Sequence, residues 1–285
     1  MIKRILVALD PDIDTQIAKK HAIELAKTHE AALSGLAVVN LEHIESEVGT
    51  GGIGTIYYAQ QLREHMAEQS RKTAGRLLDE FEMSVRHAGV KFTEKMEEGV
   101  PYQRIIEDMK YHDLLVVGRT PHFFYNRPEK ETVKTLAKVV KNGISPTLIV
   151  TEAYREVNRV TVAYDGSPAS ARTLQWFVHL LPYGMNLSIE LVTVPDGDNE
   201  KNMDQATLLM RLAGEYLKAH GFDSFGTTVL EIGDPGEKIL SHLKESGSDL
   251  ILLGAHSMSA IKRIAFGSVT HHLVTKSPVP LFLSH

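Results

Sequence analysis

Short unbroken runs of β-branched and apolar residues alternate along this chain with longer stretches whose apolar positions return every three to four residues. The first pattern predicts strands buried on both faces, the second helices. In the second half, Arg159–Tyr164 predicts a strand, Ala169–Leu181 a helix, Ser188–Val194 a strand, Met203–Ala219 a helix and Thr227–Ile232 a strand. Pro235–Glu245 predicts a helix with proline in its first turn and Leu250–Leu253 a buried strand. A last helix from about Ser268 leads to a strand near Pro280–Leu283. Apolar strands joined by helices imply a parallel sheet of about five strands with helices on both faces. Ligands of such sheets sit beyond the carboxyl ends of the strands, where the strand order reverses.

The pattern occurs twice. Ile5-Leu-Val-Ala-Leu9-Asp10 returns 155 positions later as Val160-Thr-Val-Ala-Tyr164-Asp165. Glu98-Gly99-Val-Pro101 returns after 134 positions as Ile232-Gly233-Asp-Pro235, and His112-Asp113-Leu-Leu-Val-Val-Gly118 after 136 as Ser248-Asp249-Leu-Ile-Leu-Leu-Gly254. The first copy is therefore longer by roughly twenty residues, mostly between its second and third strands. The fold class that follows is α/β, as two tandem doubly wound, Rossmann-like five-stranded units over residues 1–151 and 158–285. Their junction, Thr151 to Asn158, is polar but holds no Gly or Pro, so a short tether is expected.

Composition narrows the function classes. With 285 residues, 43% hydrophobic and 24% charged, the chain has material for two full cores. A net charge of −5 with scattered Lys and Arg leaves no footprint for duplex nucleic acid. Cysteine is absent, which excludes disulfides and Cys-ligated metal and fits a reducing compartment. The apolar start Ile5–Leu9 is too short for a membrane span and ends on an acid, so a cytoplasmic location is expected.

The candidate chemistry lies near the C-terminus. Gly254-Ala-His256-Ser257, nine further residues, and then Gly267-Ser268-Val269-Thr270 place a glycine after a buried strand and a Gly-Ser at a helix start. Glycine lets backbone N–H groups face an anion, and a helix N-terminus supplies unpaired donors and a favourable dipole. Ser268 and Thr270 add hydroxyls. Asp165, closing the first strand, can bind a ribose hydroxyl or a phosphate-bound Mg²⁺. The backbone and methyl groups of Val194 can flank a base. Ordinary turn and cap chemistry accounts for each piece alone, and it is their conjunction at one sheet edge that marks a site.

These residues resemble those of the universal stress protein family, and the resemblance covers nearly the full length as a tandem pair. The family's ATP-binding members carry Gly-x2-Gly-x9-Gly-(Ser/Thr) with a first-strand Asp, where this chain has Gly254-x2-Ser257-x9-Gly267-Ser268 and Asp165. Phe266-Gly267-Ser268-Val269-Thr270, followed by Pro278-Val-Pro280-Leu-Phe-Leu283, is similar to the family's ending. The resemblance implies an adenine nucleotide alpha hydrolase-like fold, adenine near Val194, ribose and Mg²⁺ near Asp165, and phosphates at Gly254, Gly267, Ser268, Val269 and Thr270. The turn from Gly254 through His256 to Ser257 would lie against the phosphates or the ribose. Ser257 replaces the family's second glycine, and its Cβ requires a negative φ or brings strain. Domains of this family commonly pair through their last strands. A tandem chain can make that pairing internally, near Thr147–Val150 and Leu281–Leu283, leaving a monomer or a homodimer.

The first copy departs further. Asp10 and Gly118 are kept, but Pro121 has no N–H to donate and Glu131 sets a negative charge where a phosphate would lie. ATP binding in the family manner is not expected there. Within the insertion 40–59, Gly49-Thr-Gly51-Gly-Ile-Gly54 matches a dinucleotide fingerprint but does not directly follow a strand, so a lid or partner-facing loop is the better reading. Phe123-Phe-Tyr125 reads as a buried cluster or a patch for a partner or lipid-like ligand. His271 and His272, adjacent on a helix, point about 100° apart and make no chelating pair. No Ser/His/Asp constellation stands out. The resemblance thus implies a stress-response regulator binding ATP or a related adenine nucleotide in its second half, with at most slow ATP hydrolysis or autophosphorylation. The rivals are an interaction or lipid-like-ligand-binding protein with both sites lapsed, and a hydrolase or transferase of phosphorylated metabolites, which lacks a recognisable general base.

Overall fold

In a computed structural model, which describes residues 1–41, 56–121, 129–255 and 266–285, each half of the chain supplies five strands and four helices. The first half runs β1 (Arg4–Leu9), α1 (Asp14–His29), β2 (Ala32–Val39), α2 (Ile56–His87), β3 (Phe92–Glu98), α3 (Pro101–Met109), β4 (Leu114–Gly118), α4 (Glu129–Asn142) and β5 (Thr147–Val150). The second repeats it as β6 (Arg159–Ala163), α5 (Pro168–Leu180), β7 (Ser188–Thr193), α6 (Glu200–Ala219), β8 (Phe225–Val229), α7 (Pro235–Ser246), β9 (Leu250–Gly254), α8 (Ser268–Lys276) and β10 (Leu281–Ser284). All ten strands form one sheet in the order β3-β2-β1-β4-β5-β10-β9-β6-β7-β8. Neighbours are parallel except β5 and β10, which pair antiparallel with Phe282 opposite Leu148. The two five-stranded halves are thus fused into a pseudo-dimer through the strands at Thr147–Val150 and Leu281–Leu283.

Alternation along the strands splits the core in two. Ile5, Val7 and Leu9 lie in one layer with residues of α1, α2, α5 and α6, while Leu6 and Ala8 lie in the other with residues of α3, α4, α7 and α8. Each layer runs through both halves, and Phe177 of α5 meets Phe282 of β10 edge to face at 5.6 Å between centroids. The repeated sequence pieces have repeated jobs. Asp113 Oδ2 accepts from the amides of Lys3 and Arg4, and Asp249 Oδ2 accepts from those of Asn158 and Arg159, so each aspartate anchors the start of its unit's first strand. Gly99 and Gly233, at φ 137° and 154°, occupy backbone conformations that a side chain would strain, just before the prolines that open α3 and α7. The longer first copy is visible as a 32-residue α2 against a 20-residue α6. β8 begins two residues before the strand expected at Thr227–Ile232, because its register with β7 starts at Phe225 opposite Ile189, and Ile232 lies exposed beyond its end.

Candidate functional site

The strand order reverses between β1 and β4 and again between β6 and β9. At the second reversal a cavity of about 270 Å³ opens over the carboxyl ends of β6, β7 and β9. Asp165, Val194, Gly254, Gly267, Ser268, Val269 and Thr270 all line it. His256 and Ser257 lie outside the described residues, as do Phe123, Phe124, Tyr125 and the Gly49–Gly54 motif. Sequence reasoning missed Tyr164, Ser170, Thr193, Pro235 and Ile239, which also line the cavity. The signal for Pro235 was present in the repeated Gly-x-Pro turn, which carries the start of α7 over the ends of the strands.

The cavity has an apolar end and a polar end. Val192, Val194, Pro235, Ile239 and Leu253 line it with apolar groups, and the first turn of α8 lines it as well. That turn begins at Gly267 with no side-chain cap, and the leading amides of a helix are donors that suit an anion. Among the described lining residues there is no lysine or arginine, and the start of α8 is the electropositive element that they include. Two site residues have internal duties as well. The Thr270 hydroxyl donates to the Gly254 carbonyl at 3.1 Å, which ties α8 to β9 and takes the hydroxyl proton expected for a phosphate. Gly254 is a glycine for packing: a Cβ there would stand 2.7 Å from the Ala169 carbonyl carbon and against the Ser170 amide of α5. Its lack of a side chain therefore serves helix-on-strand contact.

Asp165 sits exposed at the cavity mouth, where its Oδ1 accepts the Ser167 amide at 2.9 Å. Crowding by the cavity wall pushes its carboxyl up, but the Ser167 and Ser170 hydroxyls and the Ser167 amide together outweigh this and hold it below the ordinary carboxylate value. The group therefore stays ionised at neutral pH. Burial, followed by the charge of Asp165, pushes the neighbouring Tyr164 phenol up and keeps it protonated. Asp165 is the one carboxylate among the described lining residues, which suits a Mg²⁺ held mainly by phosphates and by a single protein oxygen. His272 is directed away from this chemistry, with Nε2 3.4 Å from Glu237 of α7.

At the first reversal the loop directly after β4 holds an internal anion. Asp14 Oδ2 accepts the Arg119 amide at 3.1 Å, the Thr120 amide at 3.3 Å and the Thr120 hydroxyl at 3.1 Å. Asp14 is 2% exposed, and a Cβ on Gly118 would lie 2.6 Å from its Cβ. The second-half residue at the same place, 155 positions on, is Ala169. An internal carboxylate thus occupies the loop after β4, a feature that reading Pro121 and Glu131 alone did not reveal; the Glu131 side chain lies outside the described set.

Fold and cavity together define a tandem doubly wound α/β protein with a strand-end cavity in its second half and a carboxylate-held loop at the equivalent edge of its first. The chain belongs to the universal stress protein family, whose sequence profile it matches over residues 1–150 and again over 156–285. It is 24% identical over 301 residues to the universal stress protein Slr1230 of Synechocystis sp., covering 98% of this chain and 99% of that one. A 144-residue alignment at 30% identity relates 44% of it to 97% of the Bacillus subtilis universal stress protein YxiE. Among solved structures, a universal stress protein from Archaeoglobus fulgidus superposes with a TM-score of 0.70 at 19% identity, covering 99% of this chain and 95% of the other.

Proposed function

We propose that the second half binds ATP or a related adenine nucleotide and that the protein acts as a nucleotide-responsive regulator with little or no catalysis. The observation that carries this reading is the meeting, in one cavity, of an apolar wall and the uncapped first turn of α8. Val194, Ile239 and Leu253 would hold the base, Asp165 the ribose or a phosphate-bound Mg²⁺, and the amides of Ser268, Val269 and Thr270 the phosphates. Bound Mg²⁺ would screen phosphate charge from Asp165. Asp165 is tied to Ser167 and Ser170, so it serves as a fixed acceptor and not as a mobile base. The first half, filled by Asp14, takes no nucleotide.

Calorimetric titration of the full chain with Mg·ATP tests this, with one nucleotide per chain expected. Gly267→Glu, which imports the residue standing at position 131, abolishes binding. No heat of binding by the wild-type chain at millimolar nucleotide would overturn the reading and leave a non-nucleotide interaction protein in its place.

A further inference from the structure

We propose that Arg119, a residue of the first half, is a positioning residue for the second-half cavity, because it holds the helix whose opposite end supplies that cavity's donors. For its ligand the proposal rests on the nucleotide reading above. Arg119 Nη1 donates to the Ser277 carbonyl at 2.8 Å. Ser277 is the C-cap of α8, and the other end of α8 is the Gly267–Thr270 turn at the cavity.

The remaining groups of Ser277 are committed. Its amide donates to the Leu273 carbonyl at 2.8 Å, and its hydroxyl donates to the Val279 carbonyl at 2.7 Å while accepting the Val279 amide. Its carbonyl is the attachment point that Arg119 uses, at a helix end where a cation is favoured. A helix of nine residues does not hold itself in place, so its position follows from packing and from its end contacts. Arg119 is a firm bracket because its own amide is pinned to Asp14 of α1. The line therefore runs from α1 through Asp14 and Arg119 to α8, and the self-filled loop of the first half gains a use.

The arrangement is one-way. Ala255 holds the corresponding place after β9, with its amide on the Ser284 carbonyl, and has no side chain to reach back. Arg119→Met, which keeps the apolar stem, and Arg119→Ala are expected to weaken Mg·ATP binding about tenfold, a typical coupling between sites. Hydrogen exchange in the ligand-free chain is expected to speed up selectively at the α8 amides, and Arg119→Lys, which still donates to a carbonyl, restores both readouts to near wild type. Unchanged exchange at α8 with unchanged affinity would overturn the proposal, as would acceleration spread evenly over all helices or a failure of Lys to rescue. If wild-type chain binds no Mg·ATP, the nucleotide reading falls, while the exchange measurement still decides whether Arg119 holds α8. Should Arg119→Ala not fold, Arg119→Met carries the test.

Discussion

The loop after β4 and the loop after β9 descend from one pattern and end in opposite states. After β9 the described residues line a cavity with apolar side chains and with a helix turn that has no side-chain cap. After β4 the amides of Arg119 and Thr120 already hold an anion, the Asp14 carboxylate supplied from α1. The difference rests on Asp14 against Ala169, and on helix N-termini and loop amides that favour whichever anion is nearest. In a duplicated unit, one side chain can thus supply to a loop the negative charge that a ligand would otherwise bring, with the fold unchanged.

The largest effect should come from the position the two loops share. Gly254→Ala sets a Cβ against the α5 backbone, which cannot yield as a flexible side chain would, and should cost about 3 kcal/mol in urea unfolding. Gly118→Ala meets a side-chain carbon of Asp14 and should cost less. Equal losses at the two sites would show that the packing difference is immaterial.

Acid should separate the halves next. His21 on α1 is 2% exposed, with its ring 4.7 Å from that of Tyr154 in the junction and its Nε2 buried without a hydrogen-bond partner. Burial, and then the charge of Lys20, brings its pKa down to about 4. The unfolded chain takes up a proton at this residue below about pH 6.5, whereas the folded chain resists until about 4, so stability falls as pH drops through that window. The loss should approach about 3 kcal/mol at pH 4, and His21→Phe should flatten the profile in urea unfolding. The second-half counterpart is Trp176, which does not titrate. An unchanged profile in His21→Phe would move the acid sensitivity elsewhere.

Much of this was legible in the sequence, for physical reasons. The strand at Ile5–Leu9 and its repeat at Val160–Tyr164 announce themselves because both faces are buried, so no charged residue interrupts them and the one polar residue, Thr161, is buried with its hydroxyl bonded to Ser248. The edge strand β8 was misplaced by two residues since its outer side lacks that constraint. Seven of the cavity's residues follow from strand ends and a helix start, which chain order fixes. Asp14 did not, because its bonds span 105 and 106 residues and an aspartate at the start of a helix already has a local explanation. The packing role of Gly254 was hidden likewise: only the position of α5 distinguishes a glycine that admits a ligand from one that admits a helix.

Asp14→Ala attacks the comparison directly. It strips three donors of their acceptor and should cost about 2 kcal/mol, less than three bonds suggest because Asp14 Oδ1 is itself buried without a partner. Inorganic phosphate should restore part of that loss in the variant while leaving the first half of the wild type unaffected. Asp14→Asn, which keeps an acceptor oxygen, should lose less. If phosphate gives Asp14→Ala no protection, the loop needs its own carboxylate and is no longer an anion site in any sense.

The smallest predicted effect tests how the open half keeps its acceptor ready. Ser167 caps α5 by accepting the Ser170 amide at 3.2 Å, while Ile13, the residue that precedes α1, makes no side-chain cap and has helical dihedrals. Ser167→Ala should therefore cost about 1 kcal/mol, and Ile13→Ser should recover little, because a cap needs an extended backbone at that residue. Ser167 also bonds to Asp165, so the same substitution should raise the Asp165 carboxyl toward its ordinary value, as followed by NMR titration. The folded-state value of this carboxyl is depressed, so its contribution to stability is present above the unfolded pKa and is lost as pH falls through the folded one. Ser167→Ala should shrink that acid-dependent part without touching the His21 window. A Ser167→Ala chain with an unshifted Asp165 would mean that Ser170 alone holds the carboxylate, and the difference between the halves would then narrow to the first turn of α8.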